Sequence, residues 1–211
     1  MALAAHNADD LENFAEFMKF ASDQKIAYGI KVCEDPRVQQ QIRAEDIQLH
    51  PEYTDLVLKT PDEKLKVRLN LPGDFNVENL MAATAIAYSQ GVDLKTVKEA
   101  IKGIHLIPGR MEPIHEGQPF QVIIDFAMTE DGYEKLLSTL RKTTQGKLWV
   151  VFGCCGDRDR KKRPKIGEIC GKIADRVVVC DDEPYTEYPK IIRDMILNFS
   201  GSGFSDSKEE T

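Results

Sequence analysis

The chain has 211 residues, enough for one large domain or two modest ones with a real core. Apolar residues make up 42% and charged residues 30%, and the net charge of −7 argues against a general nucleic-acid binder. No apolar run approaches the roughly 20 residues of a membrane span, and no basic region followed by an apolar one opens the chain. A cytoplasmic protein with no membrane span is therefore expected. Cys33, Cys154, Cys155, Cys170 and Cys180 form no C-x-x-C pair, and His6, His50, His105 and His115 lack ligand-like spacing. Reduced thiols and no structural metal are the expected state.

In chain order, Ala4 to Asp10 reads as a strand end running into a helix capped by Asp9 or Asp10, with Leu11, Phe14, Met18 and Ala21 at helical spacing. A strand is expected over Lys25 to Ile30. So little precedes Ala4 that the chain is expected to begin inside a domain. From Ile42 the pattern alternates, through Ile47 and Leu49, Leu56 and Leu58, then Leu65, Val67, Leu69 and Leu71. With a hairpin at Pro61-Asp62-Glu63, this region predicts a small antiparallel sheet. An alanine-rich helix over Val77 to Gln90 ends at Gly91, and Asp93 can cap a second with Leu94, Val97, Ile101 and Ile104 on its apolar face. Pro108-Gly109-Arg110 is the expected domain boundary.

Beyond it, strand and helix alternate: Gln121 to Ala127, Asp131 to Thr144, Leu148 to Phe152, Lys165 to Ala174, Val177 to Cys180, Glu187 to Phe199. Repeated βα units predict a parallel sheet, here of three strands, with ligands beyond the strands' carboxyl ends. The central stretch is Lys147 to Pro164, an apolar run followed by Gly153-Cys154-Cys155-Gly156 and then Asp157 to Arg163, a dense charged cluster. The two glycines are expected where the backbone turns and a side chain would clash. The arrangement suits an anion, although an ordinary turn with a solvated loop has the same composition. The polar tail 201–211 is expected to be disordered.

Six motifs follow one another in the order found in the Mur ligase family: Asn7-Ala8-Asp9-Asp10, Leu71 to Asn79, Pro108 to Glu112, Asp125 to Gly132, Gly153 to Pro164 and Asp182 to Pro189. Up to about residue 200 the chain resembles that family, the UDP-N-acetylmuramoyl-tripeptide synthetases most. The resemblance implies an α/β fragment. Residues 1–109 would be the back half of the central ATPase domain, helices plus a small antiparallel sheet. Residues 110–200 would be a partial Rossmann-like C-terminal domain. The implied activity is ATP-dependent amide ligation of an amino acid to a UDP-N-acetylmuramoyl peptide through an acyl phosphate, in peptidoglycan synthesis. ATP and Mg2+ would be the cofactors, the metal's ligands lying mostly outside this chain.

Carried over residue by residue, the resemblance implies that Asn7 and Asn79 lie near the adenine side of ATP. Arg110 would reach the phosphates and Asp125 the ribose hydroxyls. Arg158 would hold the carboxylate of the incoming amino acid, and Asp182 opens the amino-acid selectivity motif. Asp182 and Glu183 could hold an amine of the same ligand, with Tyr185 in place of a second cationic contact. Each has a structural alternative: Asn7 and Asn76 as helix caps, Arg110 paired with Glu112 or Glu116, Asp125 as a cap, and Arg158 in an ion-pair network with Asp157 and Asp159.

The chain also departs from the family. No Gly-x-x-x-x-Gly-Lys occurs, so the phosphate-binding loop is absent. Met128 replaces a histidine, Cys155 a glycine, and Glu183 and Tyr185 the asparagine and arginine of the diaminopimelate-type motif. The fragment is therefore expected to be inactive alone. A non-catalytic nucleotide- or amino-acid-binding module, or a partner subunit completing a split ligase, is the alternative. A dinucleotide oxidoreductase fits less well, because Gly-Cys-Cys-Gly lacks the middle glycine of Gly-x-Gly-x-x-Gly.

Overall fold

The computed structural model describes residues 3–198; the tail 201–211 and Phe199, expected to end the last helix, lie outside them. Two compact units divide between Asp125 and Phe126.

The first unit is built on a five-stranded sheet in sequence order: β1 (Leu3–Asn7), β2 (Gln24–Gly29), β3 (Gln40–Leu49), β4 (Thr54–Lys59) and β5 (Lys64–Leu69). The alternating stretch was expected as a separate antiparallel sheet, but it continues a parallel one. The ten-residue β3 pairs parallel with β2 through Ile26↔Gln40 to Gly29↔Arg43, and antiparallel with β4 from Arg43↔Lys59 onward. Thr60 and Glu63 close the β4–β5 hairpin through Thr60 N–H to the Glu63 carbonyl at 2.8 Å.

Between β1 and β2 the expected helix shrinks to one turn, α1 (Phe14–Phe17). Asp10 accepts the Asn13 N–H at 3.1 Å, whereas Asp9 turns away to accept those of Ile30 and Lys31 beyond β2. Helix α2 (Asp74–Ser89) lies against β1, β2 and β3, burying Val77, Leu80, Met81 and Ala85 with Ile26, Ile42, Leu56 and Leu58. Asp93 caps α3 (Leu94–Lys102) as the sequence indicates, its carboxylate accepting the Thr96 N–H at 2.6 Å. His6 is buried beside Phe14 and Phe17, and burial lowers its pKa, as for an uncharged core histidine.

The unit closes with a hairpin, β6 (Glu112–Ile114) against β7 (Val122–Ile124), antiparallel with Glu112↔Ile124. β7 was expected as a strand of the parallel sheet. It pairs with β6 because the intervening turn is held locally, Gln118 donating its side-chain N–H to the Ile114 carbonyl at 2.5 Å and accepting the Glu116 N–H at 2.7 Å.

The second unit holds α4 (Glu130–Thr143), β8 (Trp149–Phe152), α5 (Lys162–Ile173), β9 (Arg176–Val179) and α6 (Pro189–Leu197). Its parallel sheet has two strands among the described residues, with Phe152 opposite Val179. Tyr133, Leu137, Leu148, Phe152, Ile166, Cys170, Val177, Ile192 and Ile196 form its core. Helix α5 starts at Lys162, three residues before the expected Lys165, because Asp159 accepts the Lys161 N–H at 2.9 Å and turns the chain into the helix.

Leu58 is fully buried at the centre of the first unit's core. Leu58→Ala should cost about 2–5 kcal/mol. Urea unfolding followed by circular dichroism checks this, and a loss below about 1 kcal/mol would contradict the packing described.

Candidate functional site

The four residues expected at the nucleotide all fall in the first unit. Asn7 ends β1, and its side-chain carbonyl accepts the Asp9 N–H at 2.9 Å, a local turn. Asn79 is exposed on α2 and donates to the Asn76 side chain at 3.4 Å, while Asn76 is buried and donates to the Pro72 carbonyl at 2.7 Å. Tyr28 on β2 marks where these elements converge. Burial raises its phenol pKa, and Glu78, beside Asn79, and Asp10, just past β1, add to the shift.

Arg110 and Asp125 are brought together by one backbone bond. Pro108-Gly109 makes a tight turn in which the Arg110 N–H donates to the Ile107 carbonyl at 3.0 Å and Gly109 takes a φ of 68°. Met111, next in the chain, is buried with a φ of 48° and donates its N–H to Asp125 Oδ2 at 2.9 Å. The exposed Arg110 is thereby carried beside the strand end bearing Asp125. Asp125 Oδ1 has no hydrogen-bond partner among the described residues.

The amino-acid candidates all fall in the second unit, on the two loops leaving the carboxyl ends of β8 and β9. Asp182 Oδ1 accepts the Glu183 N–H at 2.8 Å, and Oδ2 accepts the Cys155 thiol at 3.1 Å. The Tyr185 hydroxyl donates to Glu183 Oε2. These bonds raise the pKa of the Cys155 thiol and of the Tyr185 phenol. Arg158 opposes both shifts, which places its guanidinium within Coulombic reach of both groups.

Arg158 itself is exposed and makes no hydrogen bond or ion pair among the described residues. The network expected as its alternative does not form. Asp157 accepts the Thr186 hydroxyl at 2.6 Å and the Thr186 N–H at 3.1 Å, and Asp159 is used on Lys161. Asp182 and Glu183 are likewise engaged, so every carboxylate close to Arg158 in these loops already accepts another donor. A planar five-donor guanidinium among these loops suits a carboxylate from solution.

The fastening of the two loops rests on residues that the sequence reading did not single out. Arg163, fully buried, donates Nη1 to Glu187 Oε2 at 2.9 Å, Nη2 to Glu187 Oε1 at 2.8 Å, and Nη2 to the Cys155 carbonyl at 3.0 Å. Glu187, whose side chain is 6% exposed, also accepts the Asp157 N–H at 2.7 Å and pairs with Arg160 at 3.1 Å. The Arg163 guanidinium holds this carboxyl at a pKa of about 2, with the Asp157 N–H helping. One signal was available: Arg163 lies three residues before Ile166 and seven before Cys170, on the buried stripe of α5. Gly153 and Gly156 are needed for close approach rather than for a left-handed turn, since neither has a positive φ. A Cβ on Gly153 would sit 2.7 Å from the Cys180 carbonyl, and one on Gly156 would overlap the Pro184 carbonyl.

Comparison with known proteins shows the family of the chain. The description "Mur ligase middle domain" matches residues 2–87, and "Mur ligase, glutamate ligase domain" matches residues 109–210. The chain belongs to the Mur ligase family, carrying its middle and C-terminal domains in an α/β fold. It is 40% identical over 200 residues to the UDP-N-acetylmuramoyl-L-alanyl-D-glutamate–2,6-diaminopimelate ligase of Bacillus licheniformis, covering 94% of this chain and 40% of that protein. To a UDP-N-acetylmuramyl-tripeptide synthetase of Roseiflexus it is 38% identical, covering 88% and 35%. It thus spans about two fifths of the length of these relatives. The fold also matches that of a MurF ligase from Thermotoga maritima solved in complex with ADP, with a TM-score of 0.63, 17% identity, and 86% and 40% coverage.

Arg163→Met should cost the second unit about 3–5 kcal/mol, the usual loss when one partner of a buried ion pair is removed. Arg160→Met, on a side chain 64% exposed, should cost less than about 1 kcal/mol by the same denaturation assay. The depressed Glu187 pKa contributes stability that is present above its ordinary value of 4.5 and lost as pH falls toward about 2. Glu187→Gln should therefore flatten the fall in melting temperature over that window, and an unchanged slope would contradict the pairing.

Proposed function

We propose that this chain supplies nucleotide- and acceptor-binding residues to an ATP-dependent amide ligase that adds an amino acid to a UDP-N-acetylmuramoyl peptide in peptidoglycan synthesis. The observation that carries the reading is Arg158, uncommitted among the described residues and surrounded by carboxylates that already have donors. The substrate class comes from the relatives' own names and is proposed for this chain by family membership. In this reading residue 110 opens the C-terminal domain.

In the reaction proposed, ATP supplies the phosphoryl group that converts the peptide's carboxylate to an acyl phosphate, with ADP leaving. The acceptor's neutral amine then attacks the acyl carbon, phosphate leaves, and the nitrogen gives up a proton to the departing phosphate or to water as the amide forms. Asp125 suits the ribose, because Oδ1 can accept a hydroxyl while Oδ2 is fixed by Met111. Arg110 would reach toward the phosphates, and Asn7 and Asn79 would border the adenine. Arg158 would orient the acceptor by its carboxylate, while Asp182 and Glu183 attract its ammonium end. Tyr185 cannot offer the bidentate cationic contact of an arginine, which disfavours diaminopimelate as acceptor. Among the described residues no group of three His, Cys, Asp or Glu could hold a metal ion, so no step is assigned to Mg2+ here.

Taken alone, the chain should bind ATP with an affinity no better than about millimolar, near 4 kcal/mol, because it contains no phosphate-binding loop. Calorimetry tests this, and micromolar binding would show that the loop is dispensable. With the remaining segments restored from a related ligase, Arg158→Lys should raise the acceptor KM at least tenfold with ATP KM unchanged, since a point charge cannot replace the fork. An unchanged acceptor KM would make Arg158 structural.

A further inference from the structure

The preceding reading gives Arg158 the acceptor's carboxylate. Nothing in that assignment explains how an arginine flanked by Asp157 and Asp159, and within Coulombic reach of Cys155 and Tyr185, the partners of Asp182 and Glu183, avoids pairing with these carboxylates. In water such a side chain would exchange among these carboxylates, and a ligand would have to displace one of them. The bonding of the two loops gives a physical answer. Glu187 accepts the Asp157 N–H as well as the Arg163 fork, which fixes the backbone one residue before Arg158 in a left-handed conformation with φ 52°. In that conformation the Asp157 carboxylate lies against Thr186 and accepts both its hydroxyl and its N–H. The Gly156 N–H donates to the Glu183 carbonyl at 2.8 Å, so the same junction also holds the residue that engages Tyr185.

We infer that Glu187, gripped by buried Arg163 and acting with Thr186, is a positioning residue. It keeps the Asp157 carboxylate away from Arg158 and so leaves that guanidinium open for a ligand carboxylate. Glu187 touches no substrate in this scheme; its effect passes through Asp157. The inference rests on the acceptor reading of Arg158 and goes beyond it by naming what keeps that site available. Two separate bonds serve the same end. Loss of the Glu187 charge breaks one arm of its pairing with Arg163 and so loosens the anchor of the Asp157 backbone, whereas loss of the Thr186 hydroxyl releases one oxygen of the Asp157 carboxylate while Glu187 and Arg163 stay in place. Either change lets Asp157 compete for Arg158.

Three probes that differ by one carboxylate at a time provide the test: meso-2,6-diaminopimelate, L-lysine and cadaverine. Each is titrated into the full chain by NMR, for the unaltered protein and for Glu187→Gln, Thr186→Val and Thr186→Ser. The unaltered chain should bind L-lysine at least fivefold more tightly than cadaverine. In Glu187→Gln and Thr186→Val that ratio should fall below about two, with cadaverine binding itself little changed, and Thr186→Ser should restore it. A merely structural role would weaken lysine and cadaverine alike. Thr186→Val, at an exposed position, keeps the question answerable if Glu187→Gln fails to fold. If both folded variants keep the full ratio, or Thr186→Val alone keeps it where Glu187→Gln is unfolded, the positioning role is overturned. If the unaltered chain does not distinguish the three probes, the acceptor reading of Arg158 fails, and the inference falls with it.

Discussion

The buried pairing of Arg163 with Glu187 is the contact on which the second unit's loops depend. Two short parallel strands cannot by themselves fix the irregular segments that leave their carboxyl ends. Here α5 is seated in the core through Ile166 and Cys170, and it carries Arg163 inward one turn earlier. The guanidinium takes both oxygens of Glu187 and the Cys155 carbonyl, so one side chain spans both loops. Such a pair need not add net stability, since desolvating two charges offsets much of their attraction. Its consequence is geometric: the loops have one arrangement relative to each other, and Gly156 permits it by having no Cβ to meet Pro184.

The first unit reaches a similar end by a different route. Its candidate residues sit where strands finish or a helix crosses them, and they are placed by backbone hydrogen bonds rather than by a buried charge. Met111 adopts an uncommon left-handed conformation and uses its N–H on Asp125, which sets the orientation of one carboxylate oxygen and leaves the other open. Asp9, expected to cap a helix, instead fastens the end of β1 to the residues after β2. In both units, local polar side chains stabilise the segments between strands, and two of the candidates, Asp125 through Oδ1 and Arg158, keep hydrogen-bonding capacity unused among the described residues.

The candidate site was read from short motifs, and the structure gives each candidate its surroundings. Asn7, Asn79, Arg110, Asp125, Arg158, Asp182, Glu183 and Tyr185 were all named from the sequence, four falling in each unit. Their partners were harder to foresee. Arg158, Arg160 and Arg163 are chemically alike in a linear reading, yet they end in different environments. Arg163 is fully buried, Arg160 pairs at the surface, and Arg158 makes no hydrogen bond or ion pair among the described residues. Helical spacing from Ile166 could have marked Arg163, but its partner Glu187 is 24 residues away and carries no local sign of burial.

The sequence by itself determined the alternation of β4 and β5, the capped start of α3, the βα periodicity around β8 and β9, and the motif order that marks the family. These follow from local sterics, hydrogen bonding within a few residues, and side-chain periodicity. Only the tertiary structure decided that β3 joins parallel and antiparallel strands in one sheet, and that β7 pairs back onto β6. It alone decided that Glu187 rather than Asp157 or Asp159 neutralises the buried arginine. Strand partners and buried ion pairs are set by groups far apart in the chain, and their free energy depends on the water excluded when those groups meet.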